Sequence, residues 1–368
     1  MKLTTYCDDI KSIETFQNYG ATELIFGHVD LSKSRRWKTD NLNEALSSAK
    51  KLGIKTILEW DITMTENVFQ KCLETLKEID LQLVDSLRVQ DPGAAEYVFQ
   101  NFSHPMQLVC EVGNRNLVGL QSFEEYFGQR LERIIISAEL NKELIEKFVN
   151  GLKVETEILG LGPILLFYTP RNLLSPLTTI NEEDLIEATG SSEESPHKGF
   201  PLRQNRHGTF MYHIKDQFLI PFMKDLKEMG LDYLRLDLSK TRTSDFEKIA
   251  QGTYEAHDYP GSLMKGFYRA NKTDILFTKL KNHRLQDRDE TYVGEVIDVL
   301  KGEALVLDLK KKLQIGTQLQ LISTEGKHKV IEVKKLQNLN RENLKASSGL
   351  VLIDYKSGFT AKSQCYLT

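Results

Sequence analysis

The side chains of this sequence that can do chemistry lie in short, separated stretches. Glu59-Trp60-Asp61 sets two carboxylates beside an aromatic ring. Such a pair can bind a cation such as Mg²⁺ or hydrogen-bond a loop backbone, and no spacing here is specific for a metal. Arg35, Arg36, Trp37 and Lys38 place guanidinium groups, which hold phosphate, next to an indole, which stacks on a base. The same run also reads as a solvated, charged loop, as does Lys310-Lys311-Lys312. Glu157 is a carboxylate near a strand end, either a base with its pKa raised by desolvation or the partner of an arginine across a barrel. Arg171, bounded by Pro170, can clamp a phosphate or carboxylate through two parallel bonds, or pair with Glu157 or Asp216. Tyr168, three residues earlier, joins it as a substrate contact. His207, before Gly208-Thr209, can act as acid, base or phosphate contact. Lys215-Asp216 is a binding pair, or Asp216 simply caps a helix beginning near Phe218.

Other chemistries have no support. Cys7, Cys72, Cys110 and Cys365 are scattered, with no paired CxxC spacing for a disulfide framework or a zinc site. Each reads as a small buried hydrophobe. There is no G-x-S-x-G elbow and no H-E-x-x-H motif, so no peptidase nucleophile or metal-bound water can be assembled.

The elements that must position these groups alternate in a steady rhythm. Strands are expected at residues 2–6, 23–26, 55–59, 86–89, 106–112, 133–137, 153–158 and 234–237. Between them lie helical patterns such as residues 42–52, 66–79, 120–127, 142–149 and 218–229. Gly53 and Gly230 sit where helix ends need a left-handed residue. Eight strands with intervening helices predict a closed parallel (β/α)8, TIM-like barrel, whose ligand groups gather at the C-terminal ends of the strands. Leu159–Tyr212 is too long for a simple connection and reads as an insertion at that end, with the polar run Gly190–Pro196 as a mobile loop within it. After about residue 285 the pattern becomes short strands without helices, with turns at Lys301-Gly302 and Glu325-Gly326. This predicts a small antiparallel β-barrel domain over 285–368, following a barrel domain over 1–284.

Composition sets the outer bounds. Of the 368 residues 40% are hydrophobic, enough for a core without staples, and no apolar run approaches the roughly 20 residues of a membrane helix. With no signal-peptide pattern at Met1–Tyr6, a cytoplasmic location is expected. Residues 288–368 carry 13 Lys/Arg against 10 Asp/Glu, while the remainder carries 35 against 42. A mildly basic module on an acidic body is compatible with RNA as a partner.

Several stretches, in order along almost the whole chain, resemble the collagenase-like peptidase (U-32) family. They are Gly20–Gly27, Leu87-Arg88-Val89-Gln90-Asp91-Pro92-Gly93, Ser137-Ala138-Glu139-Leu140, the central signature from Glu157 through Gly162 to Arg171 and Ser175, His207-Gly208-Thr209, Lys215–Leu219, Lys265-Gly266-Phe267-Tyr268 and Tyr292–Val296. The resemblance implies the barrel, the small second domain and a site around Glu157, Arg171, His207 and Asp216. It also marks a departure. Leu165, Asn172 and Phe218 stand where the family carries cysteine, and members with the full cysteine set bind an iron-sulfur cluster, which needs thiolate ligands. No cluster, other cofactor or metal is therefore expected here.

Better-understood relatives introduce hydroxyl groups into RNA bases or quinone precursors without oxygen. The resemblance thus implies a part in pyrimidine hydroxylation of tRNA or rRNA. The alternative is a non-catalytic, RNA-binding or partner subunit of a cysteine-rich paralogue. The protease that the family name suggests is the weakest reading.

Overall fold

The computed structural model describes residues 1–34, 37–112, 114–175, 185–191, 198–269, 289–324 and 327–368. Two compact units divide the chain, Met1–Asn271 and Lys272–Thr368. The expected boundary at 284/285 lies outside the described residues, as do Arg35, Arg36, most of the Gly190–Pro196 run and the Glu325-Gly326 turn.

The first unit opens with six βα repeats: β1 (Lys2–Tyr6), α1 (Ile10–Asn18), β2 (Glu23–Gly27), α2 (Thr39–Lys51), β3 (Lys55–Trp60), α3 (Glu66–Glu78), β4 (Ser86–Val89), α4 (Pro92–Asn101), β5 (Met106–Val109), α5 (Leu117–Phe127), β6 (Leu131–Ile135) and α6 (Lys142–Gly151). Then come β7 (Glu155–Gly162), four insertion strands β8 (Leu165–Thr169), β9 (Ile186–Gly190), β10 (Phe200–Asn205) and β11 (Gly208–Tyr212), and β12 (Asp216–Phe218). The unit ends with α7 (Met223–Glu228), β13 (Tyr233–Leu236), α8 (Ser244–Ala250) and β14 (Leu263–Met264). Strands β1 to β7 pair in parallel and in order, and β13 bonds to both β7 and β1. The eight-stranded TIM-like barrel is closed, as the sequence rhythm predicts.

Local chemistry explains the repeats. Buried on both faces, β2 shows no alternation. Asp91 accepts bonds from the Gly93 and Ala94 amides at the start of α4, with Pro92 in its first turn. Asn116 and Asn141 cap α5 and α6 in the same way. The helices cover the barrel with leucine, isoleucine and phenylalanine, giving one apolar layer between sheet and helices.

The barrel interior is ionic instead. Arg88 grips Glu157 with two bonds, 2.9 and 2.6 Å, and also bonds Gln107. Arg133 reaches Glu157 at 3.0 Å and crosses to Glu23 at 2.6 and 2.9 Å. Burial opposes ionisation of Glu157, but Arg88, Arg133 and Arg235 outweigh it and hold the carboxyl below its ordinary pKa of 4.5.

Residues 216–229 depart from the expected helix. Pro221 cannot occupy a helix interior, and the segment folds as β12, a single turn at Ile220–Phe222 and the short α7. Strand β12 runs antiparallel to the end of β7 and carries β14 on its other side. Within the Leu159–Tyr212 stretch the described strands form an antiparallel sheet, β8-β11-β10-β9.

The second unit is all β: β15 (Tyr292–Leu300), β16 (Ala304–Gln314), β17 (Gln318–Ile322), β18 (His328–Glu332), β19 (Leu336–Gln337), β20 (Ala346–Asp354) and β21 (Gln364–Leu367). These strands form one antiparallel sheet in the order β18-β17-β21-β15-β16-β20-β19, a curled half-barrel around residues such as Val293, Leu307, Leu319 and Ile353.

Candidate functional site

A cavity of about 140 Å³ opens at the C-terminal ends of the barrel strands. Each wall comes from a residue at or just past a strand end. Tyr6 ends β1, Lys33 follows β2, Asp61 follows β3, Glu111 follows β5 and Glu139 follows β6. Arg235 and Asp237 come from the end of β13, and Arg203 and Tyr212 from the insertion sheet.

Lys33 is buried with its ammonium 3.1 Å from Asp61 and 2.6 Å from the Gln90 side-chain oxygen. Burial disfavours its charge, but Asp61, Glu111 and Glu59 more than reverse this, so its pKa lies above the usual lysine value. These contacts favour the charged form of Lys33. Arg235 pairs with Glu111, lies 3.7 Å from Glu157 and sits over the Tyr6 ring. Its buried Nε finds no hydrogen-bond partner among the described residues. Arg203 bonds Glu187 at 2.9 Å and lies 5.8 Å over the Tyr212 ring. The lining thus offers cationic donors, carboxylate acceptors and two aromatic rings in a space close to that of one six-membered ring, since a cavity of roughly 150 Å³ accommodates benzene.

The turn between β10 and β11 fastens the insertion sheet to the loop that carries Lys33. The side chain of Asn205 donates to the Lys33 carbonyl at 2.7 Å, Arg206 pairs with Asp30 at 2.9 Å, and His207 donates from Nε2 to the Val29 carbonyl at 2.7 Å. Gly208 completes the turn at φ 121°, where a Cβ would strike the Thr169 carbonyl oxygen. On the same side of the sheet Tyr168 stacks on Phe210 at 4.7 Å, and its hydroxyl accepts from the Thr63 amide at 3.2 Å.

The residues singled out from the sequence scatter around this site. Glu59 is buried below it and accepts from Ser32 at 2.7 Å. Glu157 lies deeper still, fully buried and paired with Arg88 and Arg133. His207 and Tyr168 are fasteners. Burial lowers the His207 pKa, its Nε2–H donates to the Val29 carbonyl, and the residue is not part of the cavity lining. Asp216 caps no helix. It sits in β12, bonded to Lys240 at 2.7 Å and Tyr259 at 2.5 Å, and the turn that follows has no side-chain cap. Trp37 does not offer a stacking face: it is buried, its indole N–H bonded to the Cys7 carbonyl at 2.6 Å. Arg171 and Lys215 are exposed and pair with neither Glu157 nor Asp216.

The sequence singled out the Glu59-Trp60-Asp61 run and placed Glu111 inside the expected strand 106–112, but Lys33, Arg203, Arg235 and Tyr212 were not picked out. A signal for Arg235 and Asp237 was present, since both flank the end of the last barrel strand. For Lys33 and Arg203 there was none, because loop and hairpin residues reach the cavity only through tertiary fastening.

An iron-sulfur cluster at the family position does not fit these side chains. Leu165 lines the cavity, Phe218 is buried and Asn172 is exposed, and the sequence has no cysteine between Cys110 and Cys365. The four cysteines present are buried elsewhere, with Cys7, Cys110 and Cys365 pushed up to about 12 and Cys72 to about 11 by desolvation, so they stay protonated.

The fold is a (β/α)8 barrel with a polar cavity at the C-terminal ends of its strands, followed in sequence by an all-β unit. Residues 8–267 match the model of peptidase family U32, and the chain belongs to that family. It is similar to the tRNA hydroxylation protein P of Escherichia coli (strain K12), with 22% identity over 382 aligned residues that cover 84% of this chain and 83% of that protein. Among solved structures it is similar to a U32 peptidase, 15% identical with a TM-score of 0.38 over 45% of this chain and 70% of that one. Phosphoribosylanthranilate isomerase of Pyrococcus furiosus is 8% identical, with a TM-score of 0.41 over 69% of this chain and 98% of that one. No helix among the described residues is long and apolar enough to cross a membrane.

Proposed function

We propose that this protein acts in the hydroxylation of a tRNA pyrimidine, with the target base held in the cavity at the barrel mouth. The observation that carries this reading is the lining itself. Lys33, Arg203 and Arg235 supply donors, Asp61, Glu111 and Asp237 supply acceptors, and Tyr6 and Tyr212 supply ring faces, in space for one ring. Enzymes that modify a base take it out of the stack and read its edge by hydrogen bonds while stacking on its face, and these are the groups such recognition needs. The similarity to the tRNA hydroxylation protein P over most of both chains supports the same reaction class. A peptidase reading finds little here: all four cysteines are buried, with burial raising their thiol pKa values, and His207 Nε2 is bonded to a backbone carbonyl.

A second reading rests on Leu165, Asn172 and Phe218. Hydroxylating a base removes two electrons from it, and this chain has no redox-active group at the family position. Under this reading the chain binds RNA and works as the partner of a cysteine-bearing relative that carries the electrons. Nucleoside mass spectrometry of total tRNA from cells with and without the gene tests both. Loss of a species about 16 Da heavier than its parent nucleoside, the mass of one oxygen atom, is expected. An unchanged nucleoside profile would exclude hydroxylation. If the species is lost, co-purification with a cysteine-bearing relative separates the partner reading from the self-sufficient one.

A further inference from the structure

The insertion sheet has two faces, and only one is used by the site. Tyr168, Phe210, Arg203 and Tyr212 point to the barrel mouth. On the opposite face the cross-strand register aligns Phe167, Met211 and Leu202 in one row, because Phe167 pairs with Met211 and Met211 with Leu202. Phe167 is 43% exposed. Phe200, two residues before Leu202, extends the row along β10 and meets the His213 ring edge-on at 6.5 Å. The two ends of this face carry cations. Arg171 lies at one, its carbonyl bonded to the Thr209 hydroxyl at 2.8 Å, beside Leu173, which is 50% exposed. Lys215 lies at the other, its backbone N–H and C=O both 3.0 Å from the His213 Nδ1. Both cations are exposed and make no ion pair among the described residues.

We propose that this outer face is a docking platform for single-stranded RNA, with Phe167 stacking on a nucleotide next to the one that enters the cavity and Arg171 and Lys215 holding phosphates. The proposal rests on the RNA reading of the cavity and extends it. Two things on the molecule favour RNA as the occupant. The face combines an exposed aromatic ring with flanking, unpaired cations, which is what stacking on a base while neutralising its backbone requires. The same two strands, β10 and β11, also supply Arg203 and Tyr212 to the cavity, so the outer face and the proposed base site share one small sheet.

The test measures binding of total tRNA, and of a short unstructured RNA, to the full chain at two salt concentrations. The variants are Phe167→Ala, Phe167→Trp, and Arg171→Ala with Lys215→Ala. These positions are exposed, so folding should be unaffected, and circular dichroism checks it. Phe167→Ala is expected to weaken binding by roughly 5- to 100-fold, with Phe167→Trp restoring it. The double cation variant is expected to lower the slope of log K against log salt by about 0.7 for each phosphate it no longer neutralises. If the wild-type chain binds no RNA, the reading of the cavity itself fails. Unchanged affinity in all variants, with the wild type binding, overturns the platform alone. Retained RNA binding together with a changed oligomeric state for Phe167→Ala would assign the face to protein contact and overturn it too.

Discussion

Glu157 shows how one side chain holds the barrel together from inside. It accepts from Arg88 and Arg133 and lies 3.7 Å from Arg235, all within a fully buried layer. Replacing it by alanine leaves those arginines facing one another without their shared counter-ion, and unpairing a buried charge typically costs about 3–5 kcal/mol. Glu157→Ala is therefore expected to unfold far more easily in urea than the parent, and an unchanged midpoint would contradict the network's role. The sign of its pH effect follows from its depressed pKa. The stability it contributes is complete above 4.5, the value for an unfolded glutamate, and is lost as pH falls through the lower folded value. Acid unfolding should begin below 4.5 and be shallower in a Glu157→Gln protein. Lys33 belongs to function rather than to the frame. Lys33→Gln keeps a hydrogen-bond donor beside Asp61 and Gln90 but removes the charge. If the cavity binds the reacting base, the hydroxylated nucleoside should fall roughly tenfold or more in cells carrying only this variant, with normal protein levels.

At the scale of elements, the β10–β11 turn decides whether the insertion sheet stays on the barrel mouth. Asn205, Arg206 and His207 each reach the Val29–Lys33 loop. His207 has its pKa lowered by burial, so its contribution is present above the ordinary value of 6.5 and is lost as pH falls through the folded value. Hydrogen exchange in β10 and β11 should therefore speed up between about pH 7.5 and pH 5.5 relative to the barrel strands, and His207→Ala should remove that dependence. Exchange insensitive to pH in the parent would mean that the fastening lies elsewhere. These elements also mark what the sequence reveals. The barrel strands were legible because each is a short apolar run between helical patterns, and the structure moves their bounds by only a few residues. The insertion sheet was not, because β8 to β11 are short, and only one face of the sheet packs on the barrel. The 218–229 helix failed at Pro221. The site was half legible: strand ends at Asp61 and Glu111 follow from the barrel rule, whereas Lys33 and Arg203 depend on packing between residues far apart in sequence.

For the whole molecule, the separation into Met1–Asn271 and Lys272–Thr368 has its own consequence. The second unit has a core of its own, and among the described residues its strands pair only with one another, so residues 289–368 expressed alone should give a cooperative thermal transition and a β-type circular dichroism spectrum. A spectrum of an unfolded chain would show that its core depends on the barrel.

The seam of the barrel carries a further consequence. β1 pairs with β13 from Lys2 opposite Tyr233 to Thr5 opposite Leu236, so the first of the eight barrel strands waits for the last of them. On a ribosome adding about 5–20 residues per second, β1 has only β2 as a neighbour for roughly ten seconds or more before β13 emerges. Its outer edge stays open through that interval, when an unpaired strand can pair with the wrong one. Strand β1 is short and opens with Lys2, both devices that discourage such pairing. Lys2→Val removes the 3.2 Å bond from the Lys2 ammonium to the Tyr233 hydroxyl and should lower the soluble yield during synthesis by more than the loss of that one contact explains in the purified barrel.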